Sequence, residues 1–301
     1  MSDRPDADLL IVASHRRWIA DDLATADVIP VVADPALDAP TLPHGIRAAW
    51  WTPAEHAARL MHSGLNLQLL SAGTAWLSRV PTGLLGRPVW SGTVDSLTDA
   101  PPYGWCKPAE TKVESLPAAW YDTVDEFRVQ LALLDAPGLM PVQVSPVRLD
   151  LTDEYRCFIT QGNVTAVGAY LHAGETWDPA WDRTPDPSRA AAAMFAQEVL
   201  NTLGTDQPPG FVLDVGRCAN GSWVVIEANA SWSSNIYGCG PRAGVISSIV
   251  AASTHDDWAL GGTRTVVPWQ WLPDPWIMRR TIARPRLRTG PPAWTVPPTG
   301  Q

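Results

Sequence analysis

Short apolar runs alternate with amphipathic stretches over the first ninety residues, a pattern typical of a small α/β unit. Two runs of aliphatic and β-branched residues, 9–13 and 28–32, are short enough to predict buried strands. A helix is predicted to begin near Thr52, with Thr52 as its N-cap and Glu55 as the capping-box partner. We therefore expect a small Rossmann-like α/β domain over residues 1–95.

Strands and helices follow each other in a different order after residue 96. The predicted elements are a strand over 103–107, an amphipathic helix over 122–134, an extended segment over 142–147, hairpins over 154–171 and 211–228, and helices over 188–203 and after Pro241. This order is typical of an α+β domain. We predict that it spans residues 96–260, with lobes at about 96–141 and 142–260.

Proline, tryptophan and arginine dominate the remaining segment, residues 261–301. We interpret it as an extension of the α+β domain whose arginines are solvated or paired with acidic groups. The chain of 301 residues has a net charge of −9, which argues against a dedicated nucleic-acid-binding protein. No apolar run approaches the roughly 20 residues of a membrane span, and the acidic start does not resemble a signal peptide. We expect a cytoplasmic protein, and a homodimer is compatible with the sequence.

Cysteine and lysine usage narrows the chemistry further. The four cysteines are far apart and form no Cys-x-x-Cys pair, so a zinc site is not expected. Of the 22 basic residues only two are lysines, and both Lys107 and Lys112 lie in one short segment. A lysine is a compact point charge suited to a phosphate oxygen in a narrow site. Chance clustering of two lysines is the alternative explanation.

The second hairpin carries a group of polar side chains. A two-residue turn at 220–221 predicts that Asp214 lies opposite Glu227 and Val212 opposite Asn229. Both carboxylates and the amide would then project from one face of two adjacent strands. A shared proton, a cation or solvent must offset the repulsion between the carboxylates. Because the neighbouring residues are apolar, we favour a hard divalent cation such as Mg²⁺, whereas a hairpin whose acids face water is the alternative.

These residues resemble the ATP-grasp superfamily. The segment Asp214-x12-Glu227-x-Asn229 is similar to the family signature that holds two Mg²⁺ ions on the ATP phosphates. Lys107, in Trp-Cys-Lys-Pro, resembles the strand lysine that contacts the α- and β-phosphates. The resemblance covers about residues 96–260 and implies two α+β lobes that close on ATP, with ATP and Mg²⁺ as cofactors.

The resemblance also implies roles for residues outside this signature. The residues expected to bind ATP besides Lys107 are Lys112, Gln143, Val144, Ser145 and Glu154. The candidates for catalysis are Arg156, which would contact an acyl phosphate or the substrate carboxylate, and Lys112. The remaining substrate residues lie in the loop after Asn229 and are Trp232, Ser233, Ser234 and Tyr237.

Two departures from the family pattern affect the expected chemistry. Many family ligases carry an arginine where this chain has Val212, so Arg156 or Arg217 would have to supply that charge. Residues 109–112 replace the usual glycine-rich loop, so Lys112 would clamp phosphates by its side chain. The resemblance implies an ADP-forming ligase that joins a small-molecule or peptide carboxylate to an amine through an acyl phosphate. A phosphotransferase and a non-catalytic nucleotide-binding module are the alternatives.

Overall fold

The computed structural model describes residues 7–34, 45–109, 116–172, 175–176, 186 and 188–253. Lys112 and the extension at 261–301 lie outside these residues, so the predictions made for them are not addressed by the structure. The described residues form three sheets, of three, four and five strands. None of the described helices is long and apolar enough to cross a membrane.

The N-terminal unit is a parallel sheet with strand order β2-β1-β3, flanked by helices. Its elements are β1 Leu9–Val12, α1 Arg17–Ala24, β2 Val31–Ala33, β3 Ala48–Trp51 and α2 Ala54–His62. The predicted capping box at Thr52 is wrong, because Pro53 is the N-cap and no side chain caps the helix. The Thr52 hydroxyl instead donates to the Ala13 carbonyl at 3.1 Å, which ties the ends of β1 and β3 together.

The second sheet is antiparallel, with strand order β4-β7-β5-β6, and one face is covered by α5. Its elements are β4 Trp90–Thr93, β5 Gly104–Pro108, β6 Ala119–Tyr121, α5 Val124–Leu133 and β7 Pro141–Ser145; the short helices α3 Trp76–Arg79 and α4 Thr82–Leu85 precede them. Phe127 and Leu131 of α5 pack with Cys106 and Val144 of the sheet in one core. The expected boundaries at 95/96 and 141/142 each divide this sheet, since β4 and β7 are both members of it.

The third sheet is the large one, with strand order β10-β9-β8-β11-β12. Its elements are β8 Leu151–Thr160, β9 Asn163–His172, β10 Glu175–Thr176, α6 Ser188–Leu203, β11 Gly210–Cys218, β12 Trp223–Asn229 and α7 Arg242–Ala251. Residues of α6 pack in one core with β8 and β11, and residues of α7 pack in another with Phe158, Val212 and the N-terminal sheet. The α7 core thus joins the N-terminal unit to the sheet that carries the acidic hairpin.

The pairing of β11 with β12 agrees with the prediction at its functional end, for a reason that the prediction lacked. Asp214 pairs with Glu227 and Val212 with Asn229, as expected. The connecting loop, however, contains three residues, because the Cys218 N–H donates to the Ser222 carbonyl at 2.8 Å. A bulge then places Val215 opposite Val225, so that Ile226 is an extra residue. The longer turn and the bulge shift the register in opposite directions and cancel.

Candidate functional site

The centre of the candidate site is a buried ion pair between two neighbouring strands. Asp214 of β11 lies directly opposite Arg156 of β8. The guanidinium donates twice to the carboxylate, from Nε at 2.9 Å and from Nη2 at 2.7 Å. The Arg156 and Asp214 side chains are 3% and 1% exposed. Burial alone would lower the pKa of Arg156, but the Asp214 charge and hydrogen bonds outweigh it, so that the pKa is raised and the group stays charged.

The remaining faces of the Arg156 guanidinium are also occupied. Nη1 donates to the Asn235 carbonyl at 2.9 Å. The Tyr170 and Tyr237 ring centroids lie 5.4 and 5.1 Å from the guanidinium carbon, within the range of a cation–π contact. Arg156 is thus held at its edge by a carboxylate and a carbonyl, with two aromatic rings beside it.

Asn229 and Lys107 complete the cluster around the second carboxylate. The Asn229 amide nitrogen donates to Asp214 at 2.9 Å and to Glu227 at 2.8 Å. Lys107 forms an ion pair with the other Glu227 oxygen. Because Lys107 belongs to β5 and Glu227 to β12, this contact joins the four-stranded sheet to the large one.

The cluster is balanced in charge. Each of the four carboxylate oxygens of Asp214 and Glu227 accepts a hydrogen bond from Arg156, Asn229 or Lys107. Two negative charges therefore face two positive charges and one amide. Such compensation is what allows two carboxylates to lie side by side in a mostly buried position.

Glu154 lies on the same strand as Arg156, two residues earlier, and contacts Tyr170. Burial raises the pKa of Glu154, and a hydrogen bond from the Tyr170 hydroxyl opposes that rise. Nearby Asp214 and Glu227 add to the rise. Glu154 thus stands beside the acidic cluster, and its predicted contact with ATP stays a prediction.

The three residues predicted to contact adenine lie at the end of β7. Val144 is fully buried in the core beneath the four-stranded sheet, and the Gln143 side chain donates to the Thr74 carbonyl at 3.2 Å. Since β7 runs between β4 and β5, the peptide groups of Gln143 and Val144 face neighbouring strands. Ser145 is the last residue of the strand, so a backbone contact with a base would come from Ser145 and the residues after it.

The predicted substrate loop follows Asn229 and connects the cluster to the N-terminal sheet. Trp232 is fully buried, and its indole N–H donates to the Leu70 carbonyl at 2.7 Å. Ser234 is 6% exposed, and its carbonyl accepts the indole N–H of Trp51 at 2.7 Å. These two residues anchor the loop. The other two predicted substrate residues, Ser233 and Tyr237, are half-buried.

A family model described as an ATP-grasp domain, family 3 of its clade, matches residues 38–249. This chain belongs to that family. The match spans all three sheets of this ATP-grasp protein and includes the acidic hairpin. No curated protein matches the chain.

Several solved structures are similar in fold to this ATP-grasp protein. The D-cycloserine synthetase DcsG is 15% identical with a TM-score of 0.44, and the match covers 81% of this chain and 97% of that one. A RimK domain ATP-grasp protein from Sphaerobacter thermophilus is 17% identical with a TM-score of 0.44, with coverages of 80% and 97%. The ATP-grasp ligase PsnB, complexed with a minimal precursor, is 12% identical with a TM-score of 0.42, with coverages of 82% and 100%.

The structure adds two residues that the sequence did not indicate. Tyr170 is the extra residue of a bulge in β9, since Glu154 pairs with Leu171 while Tyr155 pairs with Ala169. Arg87 lies just after α4 and donates to main-chain carbonyls of β12 beside Glu227. A bulge is not visible in an alternating pattern, and one arginine among 20 carries no distinguishing signal.

Proposed function

We propose that this ATP-grasp protein is an ATP-dependent, ADP-forming ligase that joins a small-molecule or peptide carboxylate to an amine through an acyl phosphate. The observation that carries the proposal is the convergence of Asp214, Glu227 and Asn229 from one hairpin with Lys107 from the other sheet. In phosphoryl transfer the protein mainly positions the groups and compensates their charge.

Asp214, Glu227 and Asn229 are the residues that would hold Mg²⁺. Two carboxylates and an amide supply the oxygen ligands that this cation prefers, and few protein ligands suffice because phosphates and water complete its shell. The described residues contain no group of three or more His, Cys, Asp or Glu side chains that could bind a metal by itself. The donor set thus fits a cation shared with a nucleotide, which would neutralise the phosphates. Asn229 would then offer its amide oxygen in place of the nitrogen that now faces both carboxylates.

Lys107 is proposed to exchange partners when the nucleotide binds. Its side chain is 20% exposed, and its ion pair with Glu227 depends on a single ammonium group. A phosphate oxygen can replace the carboxylate as the acceptor without moving the strand that carries the lysine. Arg156 is committed to Asp214, so its proposed contact with an acyl phosphate or substrate carboxylate would use the donors that Asp214 and Asn235 leave over.

Nucleotide binding is tested by calorimetric titration of a non-hydrolysable ATP analogue with and without Mg²⁺. We expect Mg²⁺-dependent binding by the unmodified protein, and its loss in Lys107→Ala. Arg128→Ala is the matched control, because Arg128 is a cation on α5, where it pairs with Asp125. Binding that survives Lys107→Ala unchanged, or that is lost equally in Arg128→Ala, would contradict the assigned site.

Catalysis is tested by release of ADP and phosphate in the presence of pooled amino acids, peptides and amines. Glu227→Gln should abolish the release, whereas Glu198→Gln, on the outer face of α6, should leave it unchanged. Hydroxylamine separates the ligase from a phosphotransferase, because only an acyl phosphate yields a hydroxamate. Binding of nucleotide without any turnover would instead favour a non-catalytic binding module.

A further inference from the structure

The bulge in β12 decides which side chain faces Asp214. On the turn side of the bulge, Val225 pairs with Val215, and continuing that register would place Ile226 opposite Asp214. Because one extra residue is inserted, Glu227 takes that position. An apolar side chain would therefore lie in the acidic cluster if the bulge were absent, and the carboxylate would move to the opposite face.

Arg87 binds this bulge directly. Its Nη1 donates to the Val225 carbonyl at 2.7 Å, and its Nη2 donates to the Ile226 carbonyl at 2.9 Å. Consecutive carbonyls of a regular strand point to opposite edges, so one guanidinium can bridge both only where the strand is bulged. The planar fork of arginine matches two adjacent acceptors, which a lysine cannot contact in the same way. Arg87 is thus complementary to the bulged form of the strand.

Arg87 is itself fixed in place by the turn that carries it. Nη1 also donates to the Leu85 carbonyl at 3.0 Å. The preceding Gly86 has a φ of 62°, and a Cβ there would approach the Val224 side chain to 2.5 Å, so the turn packs closely on β12. The guanidinium is therefore positioned from a short, closely packed segment outside the large sheet, and β12 is the edge strand that it meets.

We propose that Arg87 is a positioning residue that clamps the bulge at Ile226 and thereby holds Glu227 opposite Asp214. The clamp itself is a property of the protein without ligands. Its consequence for Mg²⁺ rests on the proposed function, since it requires Glu227 to be a metal ligand.

Hydrogen exchange of the metal-free protein tests the clamp. In Arg87→Met, exchange of peptides covering Trp223–Asn229 should accelerate by about tenfold, the order expected for loss of a charged hydrogen bond. Arg79→Met is the matched control, because Arg79 also donates to a main-chain carbonyl, that of the distant Asp206. Unchanged exchange in β12, or equal acceleration in both variants, overturns the clamp whether or not the protein binds a nucleotide.

Mg²⁺ dependence tests the consequence. In Arg87→Met, the Mg²⁺ concentration for half-maximal binding of the ATP analogue should rise by about 10-fold to 100-fold, the range for residues that support a metal ligand. Arg87→Lys should give an intermediate value, and Arg79→Met the unmodified one. A purely structural loss would lower the folded fraction without moving this midpoint. An unmoved midpoint in Arg87→Met overturns the positioning role, whereas absence of Mg²⁺-dependent binding in the unmodified protein refutes the proposed function and leaves the exchange result to decide the clamp.

Discussion

Replacing Asp214 by asparagine should destabilise the protein strongly even though the shape of the side chain is kept. The substitution removes the only carboxylate that Arg156 contacts among its hydrogen-bond partners in the described part of the chain, and the guanidinium is 3% exposed. An uncompensated buried charge costs about 3–5 kcal/mol. Since a typical domain is stable by only about 5–15 kcal/mol, this is a large fraction of the total.

The measurement is denaturant or thermal unfolding of Asp214→Asn in EDTA, so that no bound metal adds to the stability. For a protein of this size the loss corresponds to a decrease of about 6–20 °C in the melting temperature. Asp206→Asn is the matched control, because Asp206 pairs with Arg79 but is 78% exposed. That exposed pair should contribute at most about 1 kcal/mol.

A double variant separates the ion pair from the position. Arg156→Met combined with Asp214→Leu removes both charges while keeping similar volume, and such replacements are often neutral or stabilising. The double variant should therefore recover most of the loss seen in Asp214→Asn, which gives a large coupling energy. If Asp214→Asn unfolds like the unmodified protein, or the double variant is no more stable than the single one, the ion pair does not hold the two strands as described.

Three further outcomes follow from packing and burial. Gly244→Ala should cost about 1–3 kcal/mol in urea unfolding, because a Cβ there would lie 2.0 Å from a main-chain oxygen of β9, whereas Gly83→Ala, where the space is open, should be neutral. Iodoacetamide should alkylate Cys218 first in the native protein, since burial raises the pKa of the other three thiols; peptide mapping would contradict this if a buried thiol reacted first. Burial also raises the pKa of Glu154, so its stabilising contribution is present at low pH and lost as the pH rises through the raised value. Glu154→Gln should accordingly gain stability over the unmodified protein at pH 7 relative to pH 4, and an equal difference at both pH values would refute this.

The sequence was sufficient to predict the family and the residues at the centre of the site, because their spacing follows from local rules. Asparagine followed by glycine marks a hairpin, and alternation in a strand assigns Asp214 and Glu227 to one face. The predicted pairing is nevertheless correct through two cancelling offsets, a longer turn and the bulge at Ile226. Neither offset can be read from alternation, since both depend on contacts with distant parts of the chain, Arg87 among them.

Contacts that span the sheets could not be predicted in the same way. The Arg156 contact with Asp214 requires the register between β8 and β11, which α6 separates in sequence. The capping box at Thr52 was predicted from local residue types, yet the hydroxyl serves a carbonyl at the end of β1. In both cases the local pattern is compatible with several partners, and the tertiary packing selects one.

The two cations of the cluster differ in a way that suits the proposed exchange. Arg156 makes two hydrogen bonds to Asp214 and one to Asn235, with two tyrosine rings beside it, so moving it would break several contacts at once. Lys107 makes one ion pair, is partly exposed, and has three donors that turn easily toward another oxygen. An incoming phosphate would therefore displace Lys107 rather than Arg156. This gives a physical reason for a lysine at position 107 in a chain that uses arginine for 20 of its 22 basic residues.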